Sequence, residues 1–140
     1  MIDKNNGYLV ISEKVQLKPN DPFDLIKEFK LGESQDLRDH ENGYKWLTVK
    51  NLKVNDEYFI LALCFQDNSL RQFNLVVNEE AFPASSSWND WDEQVEKNKL
   101  IRYKAWIKAH LGYEGTFSWG QINASYDSKG GASTISVRYN

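Results

Sequence analysis

Apolar and polar residues alternate along "GYLVISEKVQL", with Leu9, Ile11, Val15 and Leu17 at even spacing. A period of two predicts a strand with one buried face, interrupted on that face by Glu13. The period changes in "PNDPFDLIKEFKLG". Asp21 stands where an N-cap belongs, Pro22 suits the first helical position, and Gly32 suits a stop. Phe23, Ile26 and Phe29 then mark the inner side of a short helix. "SQDLRDHEN" is polar and without period, which predicts a loop. Three strands follow, "YKWLTVKNLKV", "YFILALCF" and "LRQFNLVV". The last two are joined by "QDNS", whose residues tolerate left-handed backbone angles. "YFILALCF" is apolar at every position but its first, which predicts a central strand covered on both sides, or nearly so.

"NEEAFPASSSWND" reads as a connector, from its Pro and Ser content. A long helix is predicted over about residues 90–111. Asp90 with Glu93 fits a capping arrangement, and Val95, Leu100, Tyr103, Trp106, Ile107 and Leu111 fall near helical spacing before Gly112. The tail "FSWGQINASYDSKGGASTISVRYN" alternates on both sides of "DSKGG" and predicts a hairpin. A phosphate loop is excluded there: Lys129 precedes the glycines, and a strand rather than a helix follows them. Gly130 and Gly131 are expected to supply positive φ angles, with Asp127 bonding amides of the same turn. The elements sum to an α+β fold: one domain, about six mainly antiparallel strands, one short helix and one long helix packed on the sheet through Val95, Tyr103, Trp106 and Ile107.

Composition narrows the class. The 140 residues are 41% hydrophobic and 26% charged, ordinary values for one globular domain. Aromatics reach 14%, with five Trp, enough to build a core from few large side chains. A net charge of −3 argues against a general nucleic-acid binder. Cys64 is the only cysteine, so no internal disulfide forms, and its apolar surroundings predict a buried, inert thiol. "MIDKNNGYLV" lacks a secretory pattern and no apolar run reaches membrane-spanning length, so a cytoplasmic location is expected.

Candidate chemistry is sparse. His40 and His110 are the only histidines and stand far from each other and from Cys64, so neither a metal cluster nor a thiol–imidazole pair is legible. His110 falls in the last turn of the long helix, where a charged imidazole would complement the dipole. Trp91, Trp106 and Trp119 are expected in the core; Trp88, in the connector, is the tryptophan expected at the surface. Acidic residues gather in two groups. One comprises Glu79, Glu80, Asp90, Asp92, Glu93 and Glu96, around Trp88; the other comprises Asp36, Asp39 and Glu41. Acids in a first helical turn offset the dipole, and they also form a patch complementary to a basic protein.

The string Phe117, Trp119, Gly120, Ile122, Tyr126, Asp127, Lys129, Gly130, Gly131, Ser133 and Ile135 resembles a hairpin of small uncharacterised bacterial proteins. The shape of the whole chain is similar to immunity proteins that neutralise secreted toxins of neighbouring bacteria. That resemblance implies a non-catalytic module with a protein partner and transfers no catalytic motif; the mild charge and the lack of a spanning run already argue against nucleic-acid and membrane partners. A partner that attacks nucleic acid would be basic, and Glu79, Glu80, Trp88, Asp90, Asp92, Glu93 and Glu96 are the expected contacts, with Trp88 as anchor. No cofactor is expected. Two alternatives stay open: a small-molecule binder with an aromatic pocket, and an enzyme whose cleft gathers a histidine with carboxylates.

Overall fold

The computed structural model describes residues 1–83 and 92–140. Among them the fold is α+β, with nine strands and two helices. In chain order these are β1 (Leu9–Val10), β2 (Gln16–Leu17), α1 (Phe23–Glu28), β3 (Ser34–Asp39), β4 (Tyr44–Val54), β5 (Glu57–Gln66), β6 (Ser69–Asn78), α2 (Glu93–Leu111), β7 (Gly115–Phe117), β8 (Gly120–Asp127) and β9 (Ala132–Tyr139). Seven strands form one sheet in the order β3-β4-β5-β6-β9-β8-β7, every neighbouring pair antiparallel. Two meanders therefore meet at β6 and β9, and α2 lies in the connection between them.

Local chemistry explains the tight turns. Val54 pairs with Glu57 and Gln66 with Ser69, leaving two-residue loops. Asn55, Asp56, Asp67 and Asn68 all take positive φ, as the hairpin turn that matches strand twist requires. Around "DSKGG" only Gly131 takes a positive φ, 68°, and not Gly130. Gly130 is needed for space: a Cβ there would lie 2.7 Å from the Asp127 carboxylate. Asp127 accepts the Lys129 N–H at 3.0 Å, as the sequence suggests.

Sheet register separates the two faces. Leu47, Leu63, Phe73, Val137 and Ile122 lie opposite one another in a row, as do Val49, Leu61, Leu75, Ile135 and Ala124. All ten are buried. Helix α2 covers part of this face with Tyr103, Trp106, Ile107 and Leu111, and Trp106 meets Phe59 edge to face at 6.1 Å. The N-terminal segment and α1 cover the remainder: Phe23 stands edge-on to Phe65 at 5.2 Å, and the Tyr139 hydroxyl donates to the Gly7 carbonyl at 2.6 Å.

Several expectations change. Residues 9–17 form a small hairpin of two paired strands, because Ser12 accepts the N–H groups of Lys14 and Val15 and turns the chain. "SQDLRD" is strand β3; a polar edge strand exposed at all six positions needs no alternation. Asp21 caps no helix; its carboxylate accepts the Lys18 N–H, and Pro22 precedes α1 without a side-chain cap. The cap of α2 is Asp92, whose Oδ1 accepts from Gln94 and Val95; Asp90 lies outside the described residues. Val95 is 49% exposed rather than packed on the sheet.

Candidate functional site

The described members of the acidic group predicted from sequence, Glu79, Glu80, Asp92, Glu93 and Glu96, follow the end of β6 or belong to the start of α2. Glu79 and Glu80 are exposed just after β6. Asp92 is committed to capping α2. Glu93 is exposed and pairs with Lys97 at 3.0 Å. Glu96 is half-buried: its Oε1 accepts the Ser133 N–H at 3.3 Å, its Oε2 holds the Lys99 ammonium at 2.7 Å, and its carbonyl accepts the Ser133 hydroxyl at 2.6 Å. Trp88, Asp90 and Trp91 lie outside the described residues. The carboxylates thus divide into structural ones, Asp92 and Glu96, and exposed ones, Glu79, Glu80 and Glu93. In the second group, Asp36 lies on β3 near Arg38, 3.5 Å from its guanidinium, and Asp39 accepts the Glu41 N–H at 2.9 Å.

The sheet face turned away from α2 and α1 carries a different chemistry. Trp46, Cys64, Gln72, Arg138 and Gln121 form one cross-strand row; Thr48, Ala62, Asn74, Ser136 and Asn123 form the next. Directly paired residues share a face, so both rows point away from the core. Trp46, Thr48, Ala62, Gln72 and Asn74 are half-buried, whereas Gln121 and Asn123 on β8 are exposed. Strand β5 is buried on its core face and half-buried at Tyr58, Ile60 and Ala62 on the other, close to the covered central strand expected.

Two depressions mark this face and share Gln72 and Arg138. One, of about 250 Å³, lies between β6, β9 and β8 and is lined by Gln72, Asn74, Gln121, Asn123, Ser136 and Arg138 with the flank of Val137. The other, of about 230 Å³, opens beside Tyr44, Gln66, Arg71, Tyr139 and Asn140. Arg71 sits at an irregularity in the β5–β6 pairing: Leu70 faces Phe65 and Gln72 faces Cys64, so Arg71 has no opposite number. Such a bulge re-aims a side chain. No Asp or Glu side chain lines either depression, and among the described residues neither arginine has an ionic partner. Cys64 lies in the middle of the face yet is only 1% exposed, as its apolar neighbours predicted; burial raises its thiol pKa, and the Gln72 side chain partly offsets this.

A further cleft of about 300 Å³ lies between α2 and the ends of β5 and β6, lined by Glu57, Glu79, Arg102, Tyr103 and Trp106. The Trp106 indole N–H donates to Glu57 Oε1 at 3.3 Å. His110 lies against Trp106, ring centres 4.2 Å apart and planes tilted by 40°. Burial, and then the positive amino terminus, lower the His110 pKa, while Glu57 raises it. Its position at the helix end is as expected, but burial opposes the protonation that the dipole would favour. Among the described residues no three His, Cys, Asp or Glu side chains gather as metal ligands, and no helix is long and apolar enough to cross a membrane.

A chain in the structure of Rhs1-CT in complex with cognate immunity protein RhsI1 has a similar fold. The TM-score is 0.54 over 99% of this chain and 86% of that chain, at 16% sequence identity. The likeness is one of fold. No family model and no curated protein matches the sequence.

The open face was written in the sequence only in part. Gln72 and Asn74, Gln121 and Asn123, and Ser136 and Arg138 occupy alternate positions of their strands. Their common row depends on register, which the strand sequences do not specify by themselves.

Proposed function

We propose that this chain is a non-catalytic, protein-binding module of the immunity type, which neutralises a cognate protein toxin of bacterial origin. The observation that carries the reading is the similar fold, over 99% of the chain, of a chain in the complex of Rhs1-CT with its cognate immunity protein RhsI1. The broad, one-sided sheet agrees with it: an open polar face of several strands is a platform for a folded partner. The acidic group at Glu79, Glu80, Trp88, Asp90, Asp92, Glu93 and Glu96 is proposed to attract a basic partner at long range. The capping and anchoring duties of Asp92 and Glu96, and the pairing of Glu93 with Lys97, leave Glu79 and Glu80 as its freest charges among the described residues.

Co-expression tests the reading. The chain is produced together with the C-terminal domain of a large secreted protein encoded beside it. Restored growth of the host and co-purification as a stoichiometric complex are expected. Growth arrest despite folded protein, with no complex formed, overturns it.

A further inference from the structure

We infer that the groove formed by the two depressions on the open sheet face is the contact surface for a carboxylate-bearing segment of the protein partner. This rests on the reading of the chain as a protein-binding module and specifies where, and by what chemistry, it grips.

Charge is the first argument. Arg71 and Arg138 are both exposed, flank the Tyr44–Gln66 depression, and have no acidic side chain beside them in the groove. In a chain of net charge −3, with Asp and Glu outnumbering Lys and Arg 20 to 17, an arginine-lined groove free of acids is a local reversal of sign. Guanidinium groups suit carboxylates, which they hold through two parallel hydrogen bonds.

Hydrogen-bonding capacity is the second. Asn74, Gln121, Asn123 and Ser136 line the adjoining depression, and among the described residues their side chains take no part in a hydrogen bond. An amide offers both a donor and an acceptor, so this row can match a peptide backbone or polar side chains without adding charge. Trp46, half-exposed in the same row as Gln72 and Arg138, adds an aromatic surface of the kind enriched at binding hot spots.

Support from below is the third. Opposite faces of the same strands are packed by Leu63, Phe73, Val137 and Ile122, all under 3% exposed. The groove is therefore a rigid surface, which lowers the entropy lost on binding. It also lies at the far end of β6 from the acidic group: eight residues separate Arg71 from Glu79, roughly 25 Å at the usual rise per residue. A partner meeting both regions must present basic and acidic surface in matching places, a specificity device that neither region supplies alone.

Two measurements decide it. In the first, the labelled protein is titrated by NMR with a blocked decapeptide of alternating Glu and Ser, the same peptide with Lys for Glu, and a decathymidylate. Amide shifts centred on Gln72, Asn74, Ser136 and Arg138 with the Glu peptide at millimolar concentration, and not with the other two, are expected. Absence of those shifts, or equal shifts with the oligonucleotide, overturns the inference, the latter by pointing to a polyanion site. In the second, Arg71→Glu with Arg138→Glu, and separately the milder Arg138→Gln, are tested against the toxin domain captured by co-expression. Losses of about a hundredfold and about tenfold in affinity are expected, with unchanged thermal unfolding. Unaltered affinity in both variants overturns this surface while leaving the immunity reading standing. Binding of the Glu peptide to a protein that no neighbouring toxin recognises does the reverse.

Discussion

The hydroxyl of Ser133 donates to the carbonyl of Glu96 at 2.6 Å, and the Ser133 N–H donates to the Glu96 carboxylate at 3.3 Å. Ser133 opens β9 and Glu96 lies in the first turn of α2, so this pair fixes where the helix lands on the sheet. Ser133 is also the one buried polar or charged residue among those described, 2% exposed. A side chain of the acidic group expected at a partner interface is thereby tied into the fold.

Replacing Ser133 with Ala removes the shorter bond and leaves a void the size of one oxygen. The expected cost is about 1–2 kcal/mol, read as a Tm lower by roughly 3–8 °C. Glu96→Gln retains an oxygen for the Ser133 N–H but loses the ion pair with Lys99, and is expected to cost less than Ser133→Ala. Equal stability of Ser133→Ala and the parent protein in urea unfolding contradicts the anchoring role.

The N-terminal segment is pinned to the closing hairpin at one glycine. Gly7 has φ +73°, and a Cβ there would lie 2.5 Å from the Trp119 ring. Trp119 donates its indole N–H to the Lys4 carbonyl at 2.9 Å, while Tyr139, its phenol pKa driven far up by burial, donates to the Gly7 carbonyl. Gly7→Ala adds a left-handed backbone penalty to a steric collision with a buried indole. A loss of at least about 2 kcal/mol is expected, with a blue- or red-shifted tryptophan emission as Trp119 moves. A variant of parental stability and unchanged emission refutes the contact.

Most of the secondary structure was legible where side chains report their environment. The 3.6-residue spacing of Tyr103, Trp106, Ile107 and Leu111 predicts the buried stripe of α2, and the alternation in β8 and β9 predicts their two faces. Failures fall where the environment is not in the local pattern. Strand β3 pairs by backbone alone and exposes every side chain, so its composition reads as a loop. In β5 the apolar run did not tell which face meets the core: Ile60 and Ala62 are as apolar as Leu61 and Leu63 yet only half-buried. The acidic group was visible as composition, but the division between Asp92 and Glu96, which serve the fold, and Glu79 and Glu80, which do not, required the third dimension. The open groove was least visible. Its residues come from five separate strands and meet only through register.

Acid should weaken the protein partly through His110. Burial lowers the pKa of this imidazole in the folded state below its unfolded value of about 6.5. Near and below pH 6.5 the unfolded chain therefore binds more protons than the native one at this site, so stability rises with pH in that window and is lost as pH falls through the folded pKa. Because His110 is largely exposed and Glu57 opposes the shift, the contribution is small. His110→Gln should flatten the change in urea midpoint between pH 5.5 and pH 7.5. An identical slope in parent and variant removes His110 from the account.

Long-range attraction by the acidic end is separable from contact by the groove. Glu79 and Glu80 are exposed beyond β6 and have no ion pair among the described residues, so reversing them to Lys leaves the fold intact. Asp92 and Glu96 are left unaltered because their loss would damage α2. If these charges steer a basic partner, the Glu79→Lys, Glu80→Lys variant associates several-fold more slowly at low ionic strength. The deficit shrinks as salt is raised, since exposed charges more than about 10 Å apart are screened at 0.1 M. Dissociation stays at the parental rate, because the gripping contacts lie elsewhere. Surface plasmon resonance against the captured toxin domain over a salt series provides both rates. Faster dissociation that persists at high salt would instead place Glu79 and Glu80 inside the contact, and unchanged association at every salt would leave the acidic end without a part in recognition.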